Sequence, residues 1–189
     1  VGEARRFTYA AHTEAVGARN GIGLVKLMGR DSGFIAAYAA LADNQVNFCL
    51  IPEVPFTLEG FLKALEQRLI SSGHAAIVVA EGAGQDLMKG NSQNRDASVE
   101  NLFSTLTSNK NRDASGNTLH EDIGIFLRDA IRAYFRKTGM EINLKYIDPG
   151  YSIRSMPANA YDAAFCSLLG HNAVHAGISG RTDMIVGGW

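Results

Sequence analysis

The feature that most constrains the fold is a regular alternation of short apolar runs with longer amphipathic stretches. Apolar runs typical of buried strands occur at 22–28, 46–51, 75–80, 142–147 and, more weakly, near 184–186. Helical periodicity is seen between them, at about 3–18, 32–41, 58–72, 121–137 and 159–178. Alternating strands and helices predict the α/β class, a three-layer αβα fold with a mostly parallel sheet.

Candidate capping residues mark the helix ends. Asp31 and Ser32 are predicted to begin the helix at 32–41, and Thr57 is predicted to cap the helix that follows the second strand. Gly73 is well placed to end that helix.

Composition excludes several classes of function. A chain of 189 residues with 46% hydrophobic residues can bury a real core, and its net charge of -1 offers no general attraction for nucleic acid or an anionic membrane. Its apolar runs are far shorter than the roughly 18 residues of a membrane span, and no export signal opens it. Cys49 and Cys166 lie in apolar surroundings, which predicts buried, reduced thiols in a cytoplasmic protein.

One segment breaks the alternation. Residues 83–120 are rich in Asn, Ser, Asp and Gly, and the motif N-R-D-A-S occurs at both 94–98 and 111–115. This pattern predicts a solvated surface insertion over 88–118, the most mobile internal part of the chain.

Polar residues gather where the predicted strands end. Met28, Gly29 and Arg30 follow the first strand, Glu81 begins a glycine-rich turn after the third, and D-P-G-Y-S-I-R follows the fourth. Ligands of open parallel sheets bind at this edge, and arginine and glutamate suit the phosphate and hydroxyls of a small phosphorylated polyol. Structural ion pairs and plain turns would give the same pattern, so both interpretations stay open.

Other catalytic motifs fail. His171 and His175 share a helix face, but Asn172 breaks the H-E-x-x-H zinc pattern. No G-x-x-x-x-G-K-[ST] phosphate loop occurs, and no recognisable Ser or Cys nucleophile motif is present.

Several stretches together resemble the 6-phosphofructokinase family, closest to the branch with plant and kinetoplastid enzymes. They are G-I-G-L-V-K-L-M-G-R-D-S-G-F-I-A-A (21–37), L-I-P-E-V-P-F (50–56), V-V-A-E-G-A-G-Q-D-L (78–87), D-A-S-G-N (113–117) and K-Y-I-D-P-G-Y-S-I-R (145–154). The likeness covers nearly all of the chain, in the family's order.

The resemblance implies a fructose 6-phosphate site made of Met28, Gly29, Arg30, Glu81, Lys145, Tyr151 and Arg154. Arg30 would lie near the reacting end, with a catalytic role, and Glu81 would bind a sugar hydroxyl. Tyr151 and Arg154 would meet the 6-phosphate, and Lys145 would add a basic contact. Some bacterial relatives have an arginine near position 21 that reaches a neighbouring subunit; here the residues are Arg-Asn-Gly, so that contact is not expected unchanged.

The family reaction moves a phosphoryl group from ATP or pyrophosphate to the 1-hydroxyl of fructose 6-phosphate, with Mg²⁺ on the donor. The family's donor loop and T-I-D-x-D block, which precede M-G-R, are not in this sequence. The resemblance therefore implies that 1–189 is the sugar-phosphate portion of a longer, homo-oligomeric glycolytic enzyme and is inactive alone. A non-catalytic sugar-phosphate-binding module is the alternative.

Overall fold

The computed structural model describes residues 1–91 and 122–188, which form two compact units. The first unit is Val1–Ile153, and the second begins at Arg154. The strands are β1 (Gly21–Leu27), β2 (Phe48–Leu50), β3 (His74–Ala80) and β4 (Asn143–Ile147). The helices are α1 (Gly2–Val16), α2 (Phe34–Ala42), α3 (Leu58–Ser72), α4 (Gln85–Asn91), α5 (Ile123–Thr138), α6 (Gly150–Arg154) and α7 (Ala160–Ile178).

The first unit is built on one parallel sheet with the strand order β2-β3-β1-β4. Helices cover both faces. One core packs α3 and α5 against the sheet through residues such as Leu65 and Leu127, and the other packs α1 and α2 through Ala11 and Ala36. Burial on both faces explains why β1 and β3 are almost continuously apolar. The predicted three-layer α/β fold is confirmed.

Two of the predicted helix ends are confirmed. The Thr57 hydroxyl accepts a hydrogen bond from the Gly60 N–H at 3.2 Å, and Gly73 ends α3 in the left-handed conformation at φ 72°. These ends depend on contacts within one turn of the chain, so the local sequence is enough to find them.

Neither Asp31 nor Ser32 is the N-cap of α2. The N-cap is Gly33, and the Ser32 hydroxyl accepts only a long hydrogen bond, at 3.5 Å, from the Phe34 N–H. Instead, the Glu53 carboxylate, which follows β2, accepts the Gly33 N–H at 2.8 and 3.0 Å. A negative charge also suits the positive end of the helix dipole. The local sequence could not reveal this partner, because it comes from a different strand.

Three other expectations also need correction. Residues 184–186 form no strand: Ile185 is 94% exposed, and the described part of the second unit contains no strand to pair with them. Cys49 and Cys166 are both exposed. Cys49 lies on β2, an edge strand, and Cys166 lies on α7, which buries none of its residues.

The predicted insertion begins inside a regular element. Residues 88–91 belong to α4, and Met88 is buried in the core with only 1% exposure. Residues 92–121 and both copies of N-R-D-A-S lie outside the described residues, so the mobility of that segment stays a prediction. Among the described residues, no helix is both long enough and apolar enough to span a membrane.

Candidate functional site at the carboxyl edge of the sheet

The carboxyl ends of the four parallel strands lie along one edge of the sheet. Following the strand order, this edge presents Glu53 after β2, Glu81 after β3, Arg30 after β1 and Tyr151 after β4. Residues from four separate chain segments therefore follow strand ends at a single edge of the sheet.

Backbone hydrogen bonds join the 28–30 loop to the 81–84 turn. The Glu81 N–H donates to the Leu27 carbonyl at 3.0 Å, and the Gly82 N–H donates to the Gly29 carbonyl at 3.0 Å. A Cβ on Gly82 would lie 1.6 Å from the carbonyl oxygen of Arg30. The two segments are thus in direct backbone contact, and only glycine permits this approach.

Gly29 is needed for the shape of its loop. Its φ of 140° is disfavoured for other residues, and a Cβ there would lie 2.3 Å from the Ser32 carbonyl oxygen. The family resemblance implies a place for this glycine in the substrate site. The structure adds an independent reason for glycine here, the fold of the loop itself.

The side chains on these two segments are partly accessible. Met28, Arg30 and Glu81 are each half-buried. Within residues 1–91 and 122–188, the Glu81 carboxylate makes no hydrogen bond or ion pair, and only its backbone carbonyl accepts one, from Gln85 at 3.0 Å. A half-buried carboxylate without a protein partner is well suited to accept hydrogen bonds from ligand hydroxyls.

The end of β4 forms a tight turn into α6. The Asp148 carboxylate accepts a hydrogen bond from the Gly150 N–H at 3.2 Å. Tyr151, in the first turn of α6, is 81% exposed. Arg154 is exposed; it is the last residue of α6 and the first of the second unit.

Lys145 is not at this edge. It lies within β4, opposite Gly23 of β1, and its Nζ is 3.8 Å from the Glu14 carboxylate of α1. Leu27 is four residues further along β1, which places Lys145 about 13 Å short of the end of β1 at roughly 3.3 Å per residue, and Ile147 ends β4 two residues further on. The structure therefore separates Lys145 from the candidate residues that follow β1 and β3.

Sequence reasoning missed an ion cluster behind the edge, centred on Lys26. Its Nζ lies 2.7 Å from Asp122 Oδ2 and 2.8 Å from Asp148 Oδ2, and its side chain is only 13% exposed. The Tyr146 hydroxyl donates to Asp122 Oδ1 at 3.2 Å. A lysine inside the apolar run L-V-K-L-M was the available signal, because a lysine in a buried strand needs anionic partners.

Lys26, Asp122 and Tyr146 each have a perturbed pKa. Burial opposes the charged form of Lys26, but the hydrogen bonds to Asp122 and Asp148 outweigh it and raise the lysine pKa. Burial likewise acts to raise the pKa of Asp122. The hydrogen bonds from Lys26, the Ile125 N–H and Tyr146, together with the Lys26 charge, outweigh burial and hold this pKa below its ordinary value. Burial and the nearby charge of Asp122 raise the pKa of Tyr146 to about 12. All three groups therefore keep their usual charge near neutral pH.

Metal-ligating side chains are not clustered in the described residues. His171 and His175 are exposed on α7. No group of three or more His, Cys, Asp or Glu side chains in residues 1–91 and 122–188 is placed to hold a metal ion.

The chain has a parallel sheet between two helical layers, and the carboxyl edge of that sheet carries carboxylates, an arginine and glycine-rich turns. These features define an open-sheet α/β protein with a polar strand-end site. The family model described as Phosphofructokinase matches residues 2–177, and the chain belongs to that family.

Individual relatives agree with this assignment. The chain is 50% identical over 188 residues to the ATP-dependent 6-phosphofructokinase of Borreliella burgdorferi, covering 95% of this chain and 38% of that protein. It is 49% identical over 194 residues to the ATP-dependent 6-phosphofructokinase 7 of Arabidopsis thaliana, covering 100% of this chain and 37% of that protein. The chain thus spans less than two fifths of the length of these relatives.

Solved structures show the same fold. The crystal structure of a pyrophosphate-dependent phosphofructokinase from Marinobacter aquaeolei matches with a TM-score of 0.58 at 18% sequence identity, over 95% of this chain and 39% of that one.

Proposed function

We propose that this chain carries the fructose 6-phosphate site of a 6-phosphofructokinase, an enzyme that phosphorylates the sugar 1-hydroxyl. The observation that carries the proposal is the junction of the 28–30 loop with the 81–84 turn. Backbone hydrogen bonds of 3.0 Å hold these segments together at the strand-end edge, which supports the binding of one ligand by Arg30 and Glu81 from adjacent strands.

Each residue has a role that its chemistry supports. Arg30 binds and neutralises phosphate oxygens near the reacting hydroxyl, because a guanidinium offers a fixed fork of donors. Glu81 accepts hydrogen bonds from sugar hydroxyls. Tyr151 and Arg154 meet the 6-phosphate, with the tyrosine hydroxyl donating and the arginine supplying charge. These contacts position the sugar and stabilise charge, which is the main protein contribution to phosphoryl transfer.

The three remaining candidate residues, Met28, Gly29 and Lys145, have a less direct role. Met28 and Gly29 shape the loop that presents Arg30. Lys145 lies away from the edge and has Glu14 as its neighbour, so a phosphate contact from Lys145 would be made to a different bound molecule, such as one held by a neighbouring subunit of a homo-oligomer.

ATP is the proposed phosphoryl donor of the whole protein, because the two relatives near 50% identity are named ATP-dependent. Pyrophosphate is the alternative and is the donor named for the solved structure at 18% identity. Mg²⁺ would accompany the donor phosphates. Among residues 1–91 and 122–188, no cluster of His, Cys, Asp or Glu side chains fits a metal ion. A cytoplasmic location and a homo-oligomeric state remain predictions.

The test is calorimetric titration of the 189-residue chain with fructose 6-phosphate, beside fructose. We expect the phosphate ester to bind and fructose not to. Arg30→Ala and Arg154→Ala should each weaken binding by about 10-fold or more, as expected for a lost charged hydrogen bond.

The matched control is Arg136→Ala. Arg136 is an exposed arginine in the last turn of α5, at the opposite edge of the sheet, and its removal should leave affinity unchanged. Three outcomes would contradict the proposal. They are equal binding of fructose and fructose 6-phosphate, unchanged affinity in both Arg30→Ala and Arg154→Ala, and no binding by the unaltered chain.

A further inference from the structure

The Lys26 cluster joins three chain segments through one ammonium group. Lys26 lies on β1, and its two carboxylate partners come from the residue before α5 and from the residue after β4. The cluster lies two residues before Met28, at the start of the candidate site.

Each carboxylate has a second task at the start of a helix. Asp122 Oδ1 caps α5, accepting the Gly124 and Ile125 N–H groups at 2.9 and 3.1 Å. Asp148 Oδ1 accepts the Gly150 N–H at 3.2 Å, while its Oδ2 pairs with Lys26. The lysine therefore orients the carboxylates that begin both helices.

Burial makes this arrangement more than a surface ion pair. The Lys26 side chain is 13% exposed, whereas Lys63, which pairs with Glu59 at the same 2.7 Å, is 63% exposed. Solvent and salt screen the exposed pair, so it constrains little. The two carboxylates are partly exposed, at 34% and 44%, but the largely buried lysine cannot leave them without its own charge becoming unpaired.

We propose that Lys26 is a positioning residue that holds the start of α6, and with it Tyr151, in register with the end of β1. The ion pair with Asp148 fixes the turn from which Tyr151 projects, while Met28, Gly29 and Arg30 continue directly from the strand that carries Lys26. One lysine thereby sets the spacing between the two neighbouring strand ends of the site. The identity of the ligand rests on the proposed function, but the positioning role does not.

The first test measures amide hydrogen exchange by NMR in the full chain without ligand. The Gly150 amide bonds to Asp148, and the Ile153 amide bonds to the Pro149 carbonyl at 2.9 Å, so both report on α6. Lys26→Met should speed their exchange by at least about 10-fold, the effect of losing a charged hydrogen bond. The amide of Val25, in the middle of β1, should change much less.

Three further variants separate positioning from general stability. Lys63→Met removes the exposed lysine pair and should change α6 exchange by less than about twofold. Lys26→Arg keeps the charge and should recover most of the protection. Asp148→Asn keeps an acceptor for Gly150 but loses the ion pair, while Lys26 keeps Asp122. Asp148→Asn should therefore speed amide exchange in α6 with little change in melting temperature. If Lys26→Met does not fold, this variant alone tests the positioning role.

A second measurement is the affinity of Asp148→Asn for fructose 6-phosphate, which should fall together with α6 protection. Unchanged α6 exchange in both Asp148→Asn and Lys26→Met would overturn the positioning role, as would equal acceleration at Val25. If the unaltered chain binds no sugar phosphate, the proposed function fails while the exchange result still decides the role of Lys26.

Discussion

Replacing Gly82 by alanine tests the contact on which the candidate site depends. The backbone at Gly82 lies against the 28–30 loop, and its N–H donates to the Gly29 carbonyl at 3.0 Å. A Cβ would lie 1.6 Å from the Arg30 carbonyl oxygen, 2.6 Å from the carbonyl carbon and 3.1 Å from the Gly29 carbonyl oxygen. All of these atoms are backbone, so no side chain can rotate to make room.

The size of the effect follows from that distance. Ordinary contact begins at 3.4 Å, so the two segments would have to separate by nearly 2 Å. Such a shift breaks the hydrogen bond from the Glu81 N–H to the Leu27 carbonyl and the one from the Gly82 N–H to the Gly29 carbonyl. At about 1 kcal/mol for each hydrogen bond, plus lost packing, we expect Gly82→Ala to lower the free energy of unfolding by about 2–4 kcal/mol.

Urea denaturation followed by circular dichroism measures the free energy of unfolding of Gly82→Ala. Titration of the same variant with fructose 6-phosphate measures its ligand affinity. The control is Gly139→Ala, which has a φ of 74° but nothing within 4 Å of the added carbon. Conformational strain alone should cost it about 1 kcal/mol and leave ligand affinity unchanged. The reasoning fails if Gly82→Ala is no less stable than Gly139→Ala and binds the sugar phosphate as tightly as the unaltered chain.

Three further outcomes are expected. Burial, together with the His74 ring 5.3 Å away, lowers the pKa of His12 below its ordinary 6.5. Because the unfolded chain then binds the proton more tightly than the folded chain, the urea midpoint should fall as pH drops from about 7.5 to 5.5. His12→Asn should reduce that pH dependence. Asp122→Ala removes the α5 cap and a partner of Lys26, and it should lower the free energy of unfolding by about 2–4 kcal/mol in the same denaturation assay. Asp129→Ala removes a side chain that is 57% exposed and should cost less than about 1 kcal/mol. Equal costs would show that burial of the Lys26–Asp122 pair is irrelevant. Finally, the chain mixed with fructose 6-phosphate, ATP and Mg²⁺ should release no ADP above background in a coupled assay, because its sequence holds neither the donor loop nor the T-I-D-x-D block; measurable turnover would show that these are dispensable.

The parts of the fold that were predictable depend on short-range patterns. Continuous apolar runs located β1 and β3, and the apolar stripe of α3 with Thr57 and Gly73 at its ends located that helix to within a residue or two. The run near 184–186 was misassigned because a strand is stable only beside another strand, and a local pattern cannot say whether one is present.

Burial was harder to predict than secondary structure. An apolar neighbourhood in the sequence suggested that both cysteines are buried, yet Cys49 is on an edge strand and Cys166 is on a helix without buried residues. Met88 was assigned to a surface insertion, and it is buried in the core. Burial depends on what packs against a side chain, and those partners are distant in sequence.

For the candidate site, the sequence by itself determined the residue types and the strand ends on which they fall. Met28, Gly29, Arg30 and Glu81 follow buried apolar runs, and parallel pairing is enough to bring them to one edge. The tertiary structure alone decided that Lys145 lies away from that edge. It also decided that the Glu53 carboxylate, from a different strand end, accepts the Gly33 N–H at the start of α2, and that Lys26 links β1 to two helix starts. The physical reason is that side-chain charges pair across distances of about 3 to 4 Å in space, between residues up to 131 positions apart in the chain.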